Sequence, residues 1–101
     1  MTRDLGTFAL GQLVRLSASF TSLTGAPVDP ATVTVRVKTP DGTVSPLVYL
    51  SDDALERVGT GDFLTDWPAE QAGRHFVRWE STGAAQAAAE ASFTVYASRV
   101  I

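Results

Sequence analysis

The chain has 101 residues, of which 45% are hydrophobic and 19% charged, and eight Lys and Arg against eleven Asp and Glu leave a net charge of −3. That length suits one domain, residues 1–101, able to bury roughly 60 to 65% of its unfolded surface around a single core, and the composition excludes the disordered regime of low hydrophobicity and high charge. Cysteine is absent, which excludes disulfide scaffolds and thiolate zinc sites, and the mild acidity and scattered basic residues argue against binding a phosphate backbone.

No window reaches the roughly eighteen consecutive apolar residues of a membrane span. The opening "MTRDLGTFAL" lacks the basic region and apolar run of a signal peptide. The expectation is a protein made and kept inside the cell, or released by lysis.

"TFAL" near the N-terminus has the makings of a short strand. From Leu13 to Thr21, Val14, Leu16, Ala18 and Phe20 alternate with Arg15, Ser17, Ser19 and Thr21, the period-two pattern of a strand with one face buried. Gly25, Pro27 and Pro30 end it in a loop of about ten residues. Thr32 to Lys38, "TVTVRVK", is the cleanest alternation in the chain, with Val33, Val35 and Val37 on one face. "TPDGT" supplies Pro40 and Asp41 for a tight turn and Gly42 for positive φ, so Val44 to Leu50 should return as the second half of a hairpin. Pro46 cannot donate to a ladder, which assigns this strand to an edge or a bulge.

Ser51 to Val58 is a polar patch followed by a short piece around Leu55 to Val58. Gly59 and Gly61 mark a turn, and Asp62 to Trp67 reads as a strand with Phe63, Thr65 and Trp67 on one face. "PAEQAG" suits a loop, or one helical turn ended by Gly73. In Arg74 to Glu80, His75, Val77 and Trp79 form the core-facing row, and Arg74, Phe76, Arg78 and Glu80 face outward. After the turn "STG" comes "GAAQAAAEASFTV". Alanine favours helix, but the alanine-rich run spans only eight residues, short of the roughly twelve that an isolated helix needs, and offers no broad apolar stripe. Taken with period two, Ala85, Ala87, Ala89, Ala91, Phe93 and Val95 form one row, and the strand reading wins. The alanine end is too small to fill a core, so either two sheets converge there or another chain approaches.

Seven or so strands spaced by turns every 8 to 12 residues indicate an all-β antiparallel sandwich or small barrel. The Cys-Trp-Cys signature of antibody domains is missing, so an immunoglobulin-like label rests on architecture.

Little chemistry can be assembled. His75 is the only histidine, so no two-histidine metal site exists within one chain, and beside Val77 and Trp79 it reads as a partly buried, hydrogen-bonded side chain. No Gly-x-Ser-x-Gly motif occurs, and no acid, base and nucleophile converge; no enzyme, cofactor or metal is expected. Asp52, Asp53, Glu56, Asp62 and Asp66 are the densest carboxylates, but they lack calcium-loop spacing and read as solvated loop charge. "GTG" and "STG" are turns, too short for phosphate loops. Phe76, flanked by Arg74 and Arg78 on the outward face, is the better interface anchor among the aromatics.

The C-terminal half, "GTGDFLTDWPAEQAGRHFVRWESTGAAQAAAEASFTV", resembles a pattern of small immunoglobulin-like proteins of tailed bacteriophages and prophages, and "LGQLVRLSASFTSLTGAPVDPATVTVRVKTPDGTV" is similar to that group's opening strands. The shared features are a "GTG" plus aromatic strand, a Pro…Gly connector, a strand ending "RWE", then "TG" and a small-residue strand ending "FTV". The resemblance implies an immunoglobulin-like β-sandwich and a non-enzymatic virion protein, made in the host bacterial cytoplasm, that decorates the capsid or connects head to tail. Its partners would be other virion proteins such as major capsid or neck proteins, in many copies or as a homo-oligomer, without nucleic acid or membrane. The residues expected at such a protein interface are Phe76, Arg78, Ala84, Ala85, Gln86 and Ala88. The alternative reading is a carbohydrate- or cell-surface-binding sandwich that uses an exposed Trp67.

Overall fold

Alternating side chains become strands where one face finds a core, and the computed structural model, which describes residues 3–100, has eight strands. They are β1 (Arg3–Ala9), β2 (Leu13–Ser19), β3 (Thr32–Lys38), β4 (Val44–Val48), β5 (Glu56–Gly59), β6 (Asp62–Pro68), β7 (Gly73–Thr82) and β8 (Ala87–Tyr96), with a 3-10 turn at Gly83–Ala85. One sheet has the order β1-β8-β7-β3-β4 and the other β2-β6-β5. All neighbours are antiparallel except β1 and β8, which run parallel from Arg3 opposite Ala91 to Ala9 opposite Tyr96.

The two sheets press their inward rows together. Val14 and Leu16 of β2 and Phe63 of β6 meet Val33, Val35 and Val37 of β3, Val77 and Trp79 of β7, and Phe93 and Val95 of β8, all of them buried. Aromatic rings meet edge to face: Phe20 and Tyr49 lie 5.8 and 5.0 Å from Phe63, and Phe8 lies 5.8 Å from Phe93. Such pairs add to simple area burial because the positive edge of one ring meets the negative face of the next.

Turn chemistry sets the connections. In "TPDGT", the Thr39 N–H donates to Thr43 (2.9 Å) and the Gly42 N–H to Thr39 (2.9 Å), with Gly42 at φ 89°. The Asp41 carboxylate accepts from the Thr39 hydroxyl (2.5 Å) and the Thr43 N–H (2.9 Å). Those donors, the Thr39 hydroxyl foremost, hold the Asp41 carboxyl down at about 2. The loop after β2 is tied to the β5–β6 turn by Asp29, which accepts from Arg57 Nε and Nη2 (3.0 and 2.9 Å) and from the Gly61 N–H (2.8 Å). The same donors, Arg57 first, lower the Asp29 carboxyl below its usual range. Gly61 has φ +75°, and a Cβ there would lie 2.4 Å from the Phe20 carbonyl oxygen, so only glycine fits.

Several expectations change. The first strand starts at Arg3 rather than at "TFAL" and pairs parallel rather than antiparallel. The Leu55 to Val58 piece becomes an eighth strand, β5, which runs on into Gly59, read from the sequence as turn; its four residues include none that is buried and so carry no alternation to read. The returning strand β4 ends at Val48, because Leu50 adopts φ 75° in a turn where the Val48 N–H donates to Asp52 Oδ2 (2.8 Å). "PAEQAG" is a loop without helix; Gly73 opens β7 at φ +126°. Ala85 leaves the alanine row: it lies in the 3-10 turn, where its carbonyl accepts from the buried Ser81 hydroxyl, and the Ala87 N–H donates to that same hydroxyl at 3.1 Å.

A candidate docking face on the five-stranded sheet

Register decides which outward side chains become neighbours. Arg36 of β3 stands opposite Arg78 of β7, Arg78 opposite Glu90 of β8, and Lys38 opposite both Phe76 and Val44. The outward face of the five-stranded sheet therefore gathers Arg36, Lys38, Arg74 and Arg78, half of the chain's basic residues. What is scattered in sequence is thus concentrated in space. Carboxylates interleave with these cations: Arg78 Nη1 lies 2.9 Å from Glu90 and its Nε 3.7 Å from Glu80, which also pairs with Arg36. Arg74 is held by the hydroxyls of Thr94 (3.0 Å) and Ser92 (2.7 Å).

Phe76 sits in the middle of this lattice, 49% exposed, over the buried Ser92 that it opposes in register. Across Lys38, Val44 is 51% exposed, and the two apolar side chains line a shallow depression of about 300 Å³ whose polar sides are Arg36, Arg78 and Glu90. A second depression, about 550 Å³, continues along the sheet past Arg36 and Arg78 to Thr34, Glu80, Gln86 and Ala88. The arrangement is an apolar, partly aromatic patch bordered on one side by paired charges. It offers planar guanidinium donors and carboxylate acceptors for hydrogen bonds.

Of the interface residues expected from the sequence, Phe76, Arg78, Gln86 and Ala88 come together here. Ala84 is exposed at the 3-10 turn, at one end of the face, whereas Ala85 is buried and removed from it. Sequence reasoning missed Arg36, Lys38, Val44, Glu80 and Glu90. Their outward phase was legible in the alternation of β3 and β7, but the pairing of β3 with β7 spans the intervening half of the sandwich and has no local signal.

The other candidates resolve differently. His75 is 1% exposed, stacked on Phe93 with ring centres 4.6 Å apart, and its Nδ1 lies 3.2 Å from the Gly73 carbonyl. A carbonyl only accepts, so Nδ1 carries the hydrogen and the buried Nε2 is left without a partner. Trp67 lies in the inward row of β6, half-buried at the end of the sandwich beside Thr43 and Glu70. The acidic residues diverge: Asp66 pairs with Arg15 (2.9 Å), Asp62 accepts from Ser19 (2.8 Å) and Asp52 from the Val48 N–H. No group of three or more His, Asp or Glu suited to a metal occurs among the described residues.

The strand order defines an immunoglobulin-like β-sandwich: β8-β7-β3-β4 corresponds to the G-F-C-C′ sheet and β2-β6-β5 to B-E-D, with β1 added parallel to the G strand. Solved structures similar to the chain include the Ig-like domain of human leucine-rich repeat-containing protein 4, at 19% identity and TM-score 0.48, covering 99% of this chain and 86% of that one. Another is the extracellular domain of the voltage-gated sodium channel β4 subunit, at 13% identity and TM-score 0.46, covering 97% and 95%. No protein-family model matches the sequence, and no curated protein matches it.

Proposed function

We propose that this chain is a non-enzymatic structural protein of a tailed-phage particle, bound to another head or neck protein through the outward face of the five-stranded sheet. The observation that carries the docking surface is the half-exposed Phe76, sharing a depression with Val44 next to the Arg36, Arg78, Glu80 and Glu90 lattice. Interfaces place aromatic anchors and arginines at a centre that a polar rim seals from water. A standard interface takes about 800 Å² from each partner, close to an eighth of the 6273 Å² that the molecule exposes. The setting in a phage particle, on the capsid or at the head-to-tail junction, is supported by the sequence resemblance, which runs over nearly the whole chain.

Association is then the whole mechanism, and many weak copies on a symmetric shell add avidity. Mass spectrometry of purified particles tests the reading: the chain is expected in multiple copies per particle, and its absence from particles of the encoding phage overturns the virion role.

A further inference from the structure

Unpaired strand edges present rows of N–H and C=O groups that invite another strand. The five-stranded sheet ends in β1 and β4, and the three-stranded sheet in β2 and β5. Three of these edges are interrupted. β1 breaks register between Asp4 and Thr7, around Gly6 at φ +109°. β4 carries Pro46 at its centre, and β5 has four residues and a register shift between Arg57 and Gly59. β2 alone has no interruption. Its seven residues, Leu13–Ser19, contain no Pro or Gly and pair in continuous register with β6.

The ladder shows which groups are free. The Phe20 N–H donates to Gly61 (2.8 Å), and the Gln12 carbonyl accepts from the Ala69 N–H (2.9 Å). Hydrogen-bonded and open pairs alternate in an antiparallel ladder, so the even-numbered residues of β2 bond to β6. Leu13, Arg15, Ser17 and Ser19 turn their N–H and C=O to the open edge, where β2 has no neighbouring strand among the described residues.

Beside this edge the sandwich is open. Pairing of β1 with β8 runs from Ala91 onward, so Ala87 to Glu90 also lack a described strand on that side. Between the two edges lies a cleft of about 630 Å³, lined by Leu5, Ala18 and the alanines of β8, with the edges of the buried Leu16, Phe20 and Trp79 at its base. The sheets do not converge over the small side chains; they leave space.

We propose that β2 is a docking edge for an extended segment of another polypeptide, which adds as a fourth strand to the β2-β6-β5 sheet and sets alternate apolar side chains into the cleft. The free main-chain groups of β2 specify a strand. The apolar lining of Leu5, Ala18 and the β8 alanines specifies a two-residue hydrophobic repeat on its inner face. A second copy of this chain fits less well, because its β2 pairs with the edge while keeping Val14, Leu16 and Ala18 in its own core, and the cleft stays empty. The site is separate from the Phe76 face and does not depend on it.

The test is an amide NMR titration of the full chain with a synthetic peptide of sequence Thr-Val-Thr-Val-Arg-Val-Lys, taken from Thr32–Lys38. Saturable shift changes at Arg15, Ser17, Ser19 and Ala87 to Ala91 are expected. They are lost when alternate peptide residues are N-methylated and when the chain carries Ser17→Pro, which removes an open-edge N–H and no hydrogen bond to β6, and they persist in Phe76→Ala. No shifts at these amides at millimolar peptide, or shifts indifferent to N-methylation, overturn the proposal. Concentration-dependent changes at β2 without peptide identify a second copy as the occupant and overturn it equally.

Discussion

Phe93→Ala and Phe76→Ala together test the phase of the two central strands. The rings lie on neighbouring strands and on opposite faces of one sheet. Phe93 is fully buried, edge to face with Phe8 and stacked on His75. Its truncation loses transfer energy and leaves a cavity between rings that cannot collapse, a cost of about 4 kcal/mol. At roughly 4 to 8 °C per kcal/mol for a domain of this size, the melting temperature falls by about 15 to 30 °C. Phe76 is half-exposed and opens no cavity, so its truncation costs about 1 kcal/mol, half the burial value of such a side chain. Urea unfolding followed by tryptophan fluorescence measures both, with equal m-values required for the comparison. A Phe93→Ala cost below about 2 kcal/mol, or a Phe76→Ala cost equal to it, refutes the assignment of inner and outer rows.

Other predictions follow the same geometry. Gly61→Ala puts a Cβ against the Phe20 and Val28 carbonyls at φ +75° and should destabilise by about 2 to 3 kcal/mol in thermal melts. Ser81→Ala removes the buried hydroxyl that donates to the Ala85 carbonyl and accepts from the Ala87 N–H, costing about 1 to 3 kcal/mol by the same assay. The Asp41 carboxyl, held at about 2 by the Thr39 hydroxyl and Thr43 N–H, is depressed in the folded state. Its contribution is therefore present above the unfolded carboxyl value of about 3.9 and lost as pH falls through about 2. Carbon-detected NMR should give its midpoint near 2, and Asp41→Asn should change stability at neutral pH but not at the acid limit.

Much of this fold is legible in the residue pattern alone. Thr32–Lys38 begins and ends where its alternation does, because three valines on one face leave no other way to be buried. Pro46 marks an edge because the missing N–H has no place inside a sheet. The alanine stretch joins a strand against its helix propensity, since Phe93 and Val95 on one row anchor β8 in the core while Ala87 to Glu90 extend along β7. β5 is hidden because an edge strand outside the core needs no pattern, and the parallel pairing of β1 with β8 joins the two ends of the chain, for which no local signal exists. Half of the proposed docking face is legible for a related reason: Phe76 and Arg78 show their phase within one strand, but Arg36 and Val44 reach them only through nonlocal register.

The central claim is that the outward face of the five-stranded sheet is buried against another protein of a phage particle. Cryo-electron microscopy of purified particles tests it most directly. Density for this sandwich is expected with Phe76 and Arg78 covered by a neighbouring virion protein. Particles that lack the chain, or that carry it with the Phe76 face open to solvent, contradict the claim.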